Sequence, residues 1–184
     1  MPSVGQRIVG SGKNRSPHDF YPTPRNAIEA LLEREKFTGR IWEPAAGDGA
    51  ISKVLCEYGH AVISTDLYGY GFCEGGIDFL NSRTCVPNVA SIVTNPPYRE
   101  AAAFVRLALE RTSDRVAMLL RLNFLEGQKR KSMFASTPLE TVYVFSSRLS
   151  FAQSGTPAKR GMITYAWFIW RHGFTGKPTL GWIG

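Results

Sequence analysis

Hydrophobic residues recur along the chain with two spacings, one typical of helices and the other of buried strands. In the segment 49–59, four side chains fall at i, i+3, i+4 and i+7, which predicts an amphipathic helix: Ile51, Val54, Leu55 and Tyr58. Similar spacing predicts one helix after residue 24 and another after residue 100. Thr23 is the expected N-cap of the first of these, with Pro24 at its first helical position.

Six strands are predicted between and after these helices. The run at 115–122 is continuously apolar, as in a strand that is buried on both faces. The full set is 40–42, 61–65, 88–94, 115–122, 140–146 and 163–170. Strands that alternate with helices indicate an α/β protein with a parallel sheet. No helix is predicted between the last two strands, so at least one of them should run antiparallel.

Length and composition favour one folded domain. The chain has 184 residues, 43% of them hydrophobic and 12% aromatic. No apolar run approaches the roughly 18 residues of a membrane span, and the first residues lack the apolar stretch of a signal peptide. The three cysteines form no C-x-x-C pair, and the three histidines form no visible metal set. These features predict a cytoplasmic protein with no membrane partner and no metal.

Positive charge is concentrated in two parts of the chain. The net charge is +7, and residues 121–160 hold seven Lys and Arg against two Glu. Residues 1–18 carry basic side chains without an acid and show no periodicity, which predicts a flexible basic arm before a single domain at 19–184. Such an excess is consistent with a polyanion partner and equally with solvated surface stretches.

The first predicted strand ends in an acidic, glycine-containing turn, WEPAAGDGA at 42–50. It is not the dinucleotide fingerprint G-x-G-x-x-G, because Ser52 stands at the third glycine position. A pyrophosphate would also be poorly served by Glu43 and Asp48. The motif suits a ligand with a positive centre, although a plain strand-to-helix turn is the structural alternative.

Two further acids follow in positions suited to an adenosine. Asp66 stands at the end of the second strand, 23 residues after Glu43, where an acid binds ribose hydroxyls. Asp78, beside Phe79, lies on the next segment and is a candidate acceptor for an adenine amine. Each is often a cap or turn residue when taken alone. Together they predict an adenosine pocket across neighbouring strand ends.

The tetrapeptide NPPY at 95–98 directly follows a predicted strand. Two prolines fix φ at successive positions and predict a rigid loop where α/β proteins place their sites. With this motif, the chain resembles the class I S-adenosylmethionine-dependent amino-methyltransferases, and most closely the small phage- and prophage-type DNA N6-adenine methyltransferases. The matching segments are DFYPTP (19–24), EPAAGDG (43–49), Asp66, IDF (77–79), NPPY (95–98) and YAWFIW (165–170).

The resemblance implies a Rossmann-like methyltransferase fold, with a mostly parallel seven-stranded sheet and an antiparallel terminal strand. It also implies that Asn95 and the carbonyl of Pro96 accept hydrogen bonds from the exocyclic amine of a flipped adenine. Pro97 helps to preset this geometry, and Tyr98 offers a face for the base to stack on. No strong base is needed in such a site.

The resemblance also implies binding residues for the cofactor, S-adenosylmethionine, and for DNA. The cofactor set is Tyr21, Pro22, Thr23, Glu43, Pro44, Ala45, Gly47, Asp66, Leu67, Asp78, Phe79 and Asn95. The substrate set is Tyr98, Phe151, Arg148, Lys159 and Arg160. For Phe151 a core position, and for the basic residues a solvated loop, are equally good interpretations.

Several alternatives stay open at the level of sequence. The chain has no room for a separate target-recognition domain, so recognition is either built from 123–135 and 146–161, nearly absent, or completed in a homodimer. RNA in place of DNA, cytosine-N4 or a protein glutamine as acceptor, and a non-catalytic nucleic-acid-binding module are the other functions compatible with the motifs. The chain is expected to act as a monomer or a homodimer.

Overall fold

The computed structural model describes residues 21–81, 83–151 and 163–184. The predicted arm at 1–18 lies outside these ranges, so it stays a prediction. The helices are α1 (Arg25–Leu32), α2 (Ala50–Glu57), α3 (Ala101–Arg111) and α4 (Gln128–Ser136), with a 3₁₀ turn at Leu122–Leu125. The strands are β1 (Ile41–Glu43), β2 (Val62–Ser64), β3 (Ser91–Thr94), β4 (Arg115–Arg121), β5 (Leu139–Phe145), β6 (Tyr165–Arg171) and β7 (Thr179–Ile183).

The strands form one seven-stranded sheet in the order β2-β1-β3-β4-β6-β5-β7. β1 pairs in parallel with β2 and β3, and β3 pairs in parallel with β4. β6 runs antiparallel to both of its neighbours, β4 and β5, whereas β7 is parallel to β5. The mostly parallel α/β sheet and the antiparallel direction of the last predicted strand are therefore confirmed.

Four details differ from the sequence-based expectation. α1 begins one residue later than expected, with Pro24 as N-cap, and no side chain caps it. Asp78 lies in a loop and not at the end of a third strand, so of the three predicted acids only Glu43 and Asp66 stand at strand ends, those of β1 and β2. The pattern predicts neither α4 nor β7, because α4 buries only Met133 and β7 leaves most of its residues exposed.

Two apolar layers cover the two faces of the sheet. Alternate residues of β6 belong to different layers: Trp167 and Ile169 pack with α1 and α2, whereas Phe168 and Trp170 pack with α3. Successive side chains of a strand point to opposite faces, so a continuous apolar run fills both layers at once. This explains why the central strands lack a polar face.

α1 is held on the sheet by polar contacts as well as by packing. The buried Trp167 donates from Nε1 to the carbonyl oxygen of Ala27 at 2.7 Å. Just beyond the helix, Glu35 accepts a hydrogen bond from the Tyr143 hydroxyl at 2.9 Å and forms an ion pair with Arg115. α1 therefore depends on residues from the second half of the chain.

We expect Trp167→Phe to lower the free energy of unfolding by about 1–3 kcal/mol, because it removes a buried hydrogen bond and some packed volume. Urea denaturation of the two proteins measures the difference. Trp182→Phe is the matched control, since Trp182 is 62% exposed and its replacement should change stability by about 0.5 kcal/mol or less. Equal losses in the two variants would contradict a specific role for the Trp167–Ala27 contact.

Candidate cofactor and substrate site

One cavity of about 230 Å³ opens at the carboxyl ends of β1, β2 and β3. Every residue of the predicted cofactor set lines it: Tyr21, Pro22, Thr23, Glu43, Pro44, Ala45, Gly47, Asp66, Leu67, Asp78, Phe79 and Asn95. Pro97 lines it as well. The sequence thus identifies residues that the fold brings together, although their binding roles stay predictions.

The charge of this cavity is one-sided. Five acids line it and, among the described residues, no Lys, Arg or His does; the acids are Glu43, Asp48, Asp66, Asp78 and Glu100. A site of this kind favours a ligand that carries positive charge and disfavours a pyrophosphate. The sequence predicts cofactor-binding roles for Glu43, Asp66 and Asp78, associates Asp48 with a positively charged ligand, and assigns no role to Glu100.

Glu43 ends β1 as a buried carboxyl, with 1% of its surface exposed. Its Oε2 accepts a hydrogen bond from the backbone N–H of Ser52 at 2.8 Å and another from the Ser52 hydroxyl. Burial nevertheless raises the pKa of Glu43 to about 8. A pKa in this range favours the protonated carboxyl group at neutral pH, and a positive charge placed beside it would lower that pKa.

The glycine-containing turn after β1 is tied to the end of β2 through Asp66. The buried Asp66 carboxylate accepts from the N–H of Gly47 at 2.8 Å and from the N–H of Tyr68 at 2.7 Å. Gly47 has φ +56°, a left-handed conformation that a residue with a side chain rarely adopts. Asp66 therefore shapes the cavity wall besides offering its remaining lone pairs to a ligand.

Asp78 and Phe79 reach the cavity from a loop that is anchored to the end of β2. The N–H of Ile77 donates to the carbonyl of Asp66 at 3.0 Å, and the Asp78 carboxylate accepts from the N–H of Leu80 at 2.8 Å. Phe79 is only 2% exposed and packs against Trp42 and Phe104. Phe79 is thus largely a core residue, and little of its surface is open to a ligand.

Asn95 follows β3. Its amide group is oriented by residues 21–23, which form the N-terminal wall of the cavity. Its Nδ2 donates to the Thr23 hydroxyl at 3.1 Å and to the Tyr21 carbonyl at 3.3 Å. These two contacts use both hydrogens of the amide, so the oxygen Oδ1 is the atom that can accept from an amine. Thr23, expected as a helix cap, thus orients Asn95 instead.

The ring of Tyr98 is already in contact with a cation. The Arg121 guanidinium, at the end of β4, lies 4.7 Å from the centre of this ring. The Tyr98 hydroxyl is buried beside Tyr165 and Asn95 without a hydrogen bond of good geometry, and burial raises the pKa of Tyr98 above its usual value. A base that stacks on Tyr98 must use the surface that Arg121 leaves open, or displace Arg121.

A row of aromatic rings connects Tyr98 to the N-terminal wall. Tyr98 lies 5.8 Å from Tyr165, Tyr165 lies 4.8 Å from Phe151, and Phe151 lies 6.2 Å from Tyr21, between ring centres. Phe151 is half-buried against the core. It is therefore partly a core residue and partly open to contact, which is compatible with both interpretations of the sequence, a core phenylalanine and a stacking surface. Sequence reasoning did not assign Tyr165 or Arg121, although both stand at ends of predicted strands.

Of the three basic residues predicted to contact DNA, only one lies within the described ranges. Arg148 is exposed and follows β5. Lys159 and Arg160 lie outside the described residues. Within the described ranges, no group of His, Cys, Asp and Glu is arranged to hold a metal ion. No helix of those ranges is both long and apolar enough to cross a membrane.

Comparison with solved structures shows the fold. The structure of an inferred RNA methyltransferase from Pyrococcus horikoshii has a TM-score of 0.63 at 16% identity, covering 86% of this chain and 91% of that one. The modification subunit of an inferred type I restriction enzyme from Vibrio vulnificus YJ016 has a TM-score of 0.59 at 14% identity, covering 87% and 45%.

The M protein of the type I restriction enzyme EcoKI is similar too, with a TM-score of 0.56 at 18% identity, covering 81% of this chain and 43% of that one. This chain spans less than half the length of the two restriction-system proteins. No family model and no curated protein matches the sequence. The three structural similarities show that the chain has the Rossmann-like fold of class I methyltransferases.

Proposed function

We propose that this protein transfers a methyl group from S-adenosylmethionine to the exocyclic N6 amine of adenine in DNA, as a small enzyme of the phage and prophage type. One observation carries the proposal: Asn95 of the NPPY motif stands in the wall of the same cavity as Glu43, Asp66 and Asp78. An amine acceptor and an acidic nucleoside pocket are thus in one place.

The residues of the acidic cavity fit S-adenosylmethionine. Its five acids match a ligand with a sulfonium and an ammonium group, and Asp66 is placed for ribose hydroxyls. Asp78 would accept from the adenine amine, while residues 21–23 would cover the methionine end. When bound, the cofactor would supply a methyl carbon whose bond to sulfur breaks as the amine nitrogen bonds to it, and the methylated nitrogen would then release one of its protons to water.

The chain itself contributes orientation of the amine. Asn95 Oδ1 and the Pro96 carbonyl accept the two N–H groups of the target, which directs the nitrogen lone pair toward the cavity. The Thr23 hydroxyl and the Tyr21 carbonyl hold the Asn95 amide in the required orientation. The Asn95 acceptor is thus fixed before the substrate arrives, which is electrostatic preorganisation.

The flipped base would stack on Tyr98, with Phe151 next to it in the aromatic row. Stacking of a base on an aromatic ring contributes about 1–3 kcal/mol, against a cost of a few kcal/mol for leaving the duplex. Arg148, Lys159 and Arg160 would contact phosphates. Target recognition by 123–135 and 146–161 is part of this proposal, and α4 accounts for much of the first segment.

RNA is the second candidate substrate. The structure from Pyrococcus horikoshii, an inferred RNA methyltransferase, is covered over 91% of its length by this chain. The NPPY segment would act on an RNA adenine in the same way.

Nucleoside mass spectrometry tests the proposal. Purified protein is incubated with labelled S-adenosylmethionine and either unmethylated DNA or total RNA. We expect labelled N6-methyladenine in DNA. Label only in RNA would replace the substrate and keep the mechanism, whereas absence of label in both, despite cofactor binding, would overturn the proposed activity. Absence of cofactor binding would favour a non-catalytic module.

We expect Thr23→Val to lower kcat about tenfold and to change cofactor affinity by less than about threefold. Valine keeps the shape of Thr23 but cannot accept the hydrogen bond from Asn95, which contributes about 1 kcal/mol. Steady-state methylation assays give kcat and KM. Thr94→Val is the matched control, because the buried Thr94 hydroxyl has no hydrogen-bond partner. Equal kcat values for the two variants would contradict a positioning role for Thr23.

A further inference from the structure

A second cavity, of about 300 Å³, lies beside the NPPY segment and has the opposite charge to the first. Tyr98 stands in its wall, together with Phe124, Asn123 and three arginines: Arg99, Arg121 and Arg130. No acid is among its described lining residues. Two cavities of opposite charge therefore meet at one short loop.

Aromatic rings hold two of these arginines in place. Arg121 lies over Tyr98 at 4.7 Å, and Arg130 lies over Phe124 at 5.1 Å. Arg130 also donates from Nε to the carbonyl of Glu126 at 2.7 Å. The guanidinium groups are thus positioned by stacking and by backbone contact.

The charge of these arginines is not neutralised within the described part of the chain. None of the three forms an ion pair with a described carboxylate. The Arg121 Nε is buried and has no hydrogen-bond partner. Three guanidinium groups around one cavity, without a described carboxylate to neutralise them, favour an anionic ligand.

The position of the cavity indicates which anion it takes. Pro97 lines the acidic cavity and its neighbour Tyr98 lines the basic one, so the same short loop contributes to both cavities. The planar guanidinium group of arginine can donate two parallel hydrogen bonds to two oxygens of one phosphate. A nucleotide carries its base and its phosphate on one sugar, so both groups can reach these neighbouring sites together.

We propose that the basic cavity formed by Arg99, Arg121 and Arg130 binds a phosphodiester group of the DNA strand that carries the target adenine. This inference rests on the proposed function, and it adds a phosphate site distinct from Arg148, Lys159 and Arg160. The contact fixes the register of the strand while Asn95 holds the base.

Salt-dependent DNA binding tests this site. Affinities of wild type, Arg121→Gln and Arg130→Gln for an unmethylated duplex are measured at several salt concentrations. Losing one phosphate contact should reduce the slope of log K against log[salt] by about 1 and weaken binding about tenfold near 0.1 M salt. Arg106→Gln is the matched control: it removes one charge from an exposed position of α3 outside the cavity. Its slope should equal that of wild type.

The outcomes separate this inference from the proposed function. Cofactor affinity and methyl transfer are measured in parallel. If both arginine variants keep the slope of Arg106→Gln while wild type methylates DNA, the phosphate site is overturned and the function stands. If wild type binds DNA without transferring methyl, a reduced slope still supports the site. A slope change seen with RNA and not with DNA overturns the assignment to DNA, and failure to bind either polymer overturns both proposals.

Arg121 also packs on Tyr98, so its replacement can disturb the loop. Arg130 lies on α4 and does not take part in the contact between Arg121 and Tyr98, so Arg130→Gln serves as the second variant. Thermal unfolding of each variant identifies a folding defect. If Arg121→Gln unfolds, the slope of Arg130→Gln alone decides the outcome.

Discussion

Asn95→Ala should reduce kcat for methyl transfer by about 10²–10³-fold, while the affinity for S-adenosylmethionine falls much less, because Asn95 is only one of twelve residues in the predicted cofactor set. The variant loses the acceptor Oδ1 that orients the target amine, and removing one preorganised polar group from a reaction site has an effect of this size. Because the loss falls on the transition state, kcat and kcat/KM should fall together. Single-turnover assays with labelled cofactor, together with calorimetric titration, measure the two quantities.

A matched control is available for this variant. Asn26→Ala removes the same side chain from an exposed position of α1 and should leave kcat unchanged. Asn95→Ala also frees the Thr23 hydroxyl, so a loss no larger than that of Thr23→Val would show that Asn95 acts only as a structural partner of the N-terminal wall. Retention of full activity would remove Asn95 from the mechanism.

The second large effect concerns the pH dependence of stability, through Glu43. Burial raises the pKa of this carboxyl from 4.5 to about 8, so between those values the folded state holds a proton that the unfolded state has lost. Glu43 therefore stabilises the fold at low pH, and its contribution is lost as the pH rises towards 8. The expected slope is about 1.4 kcal/mol less stability per pH unit.

Glu43→Gln removes this titration while keeping the shape of the side chain. Urea denaturation at pH 5, 6, 7 and 8 should show that the stability difference between wild type and Glu43→Gln moves in favour of the variant as the pH rises. Glu33→Gln, at an exposed position, is the control for the loss of one carboxylate. The same pH dependence for the two differences would contradict a protonated Glu43 in the folded protein.

Sequence patterns predicted the central sheet and the acids Glu43, Asp66 and Asp78 because both have local signals, whereas residues 21–23 and Leu67 were implied by the family resemblance. The apolar run of β4 requires burial on both faces, and the acids after β1 and β2 end short predicted strands. The carboxyl ends of parallel strands lie at one edge of a sheet, so those acids had to meet.

The features that the sequence did not predict depend on contacts between distant residues. Thr23 and Pro24 have the local form of a helix start, yet the Thr23 hydroxyl bonds to Asn95, 72 residues away. β7 contains a glycine and two exposed apolar side chains, and its pairing with β5 is what makes it a strand. The position of Arg121 over Tyr98 depends on the packing of β4 against the NPPY loop.

The attachment of α1 sets the order in which the site can be completed during synthesis. The wall at 21–23 precedes α1, and α1 is held by Trp167, 140 residues after its partner Ala27. Glu35 likewise accepts its hydrogen bond from Tyr143, which lies 108 residues later in the chain. Chains are made from the N-terminus, and contacts between distant segments form only after both exist. Residues 21–35 are therefore made long before the residues that hold them in place, and the acidic cavity of a nascent chain is not complete until β6 has emerged.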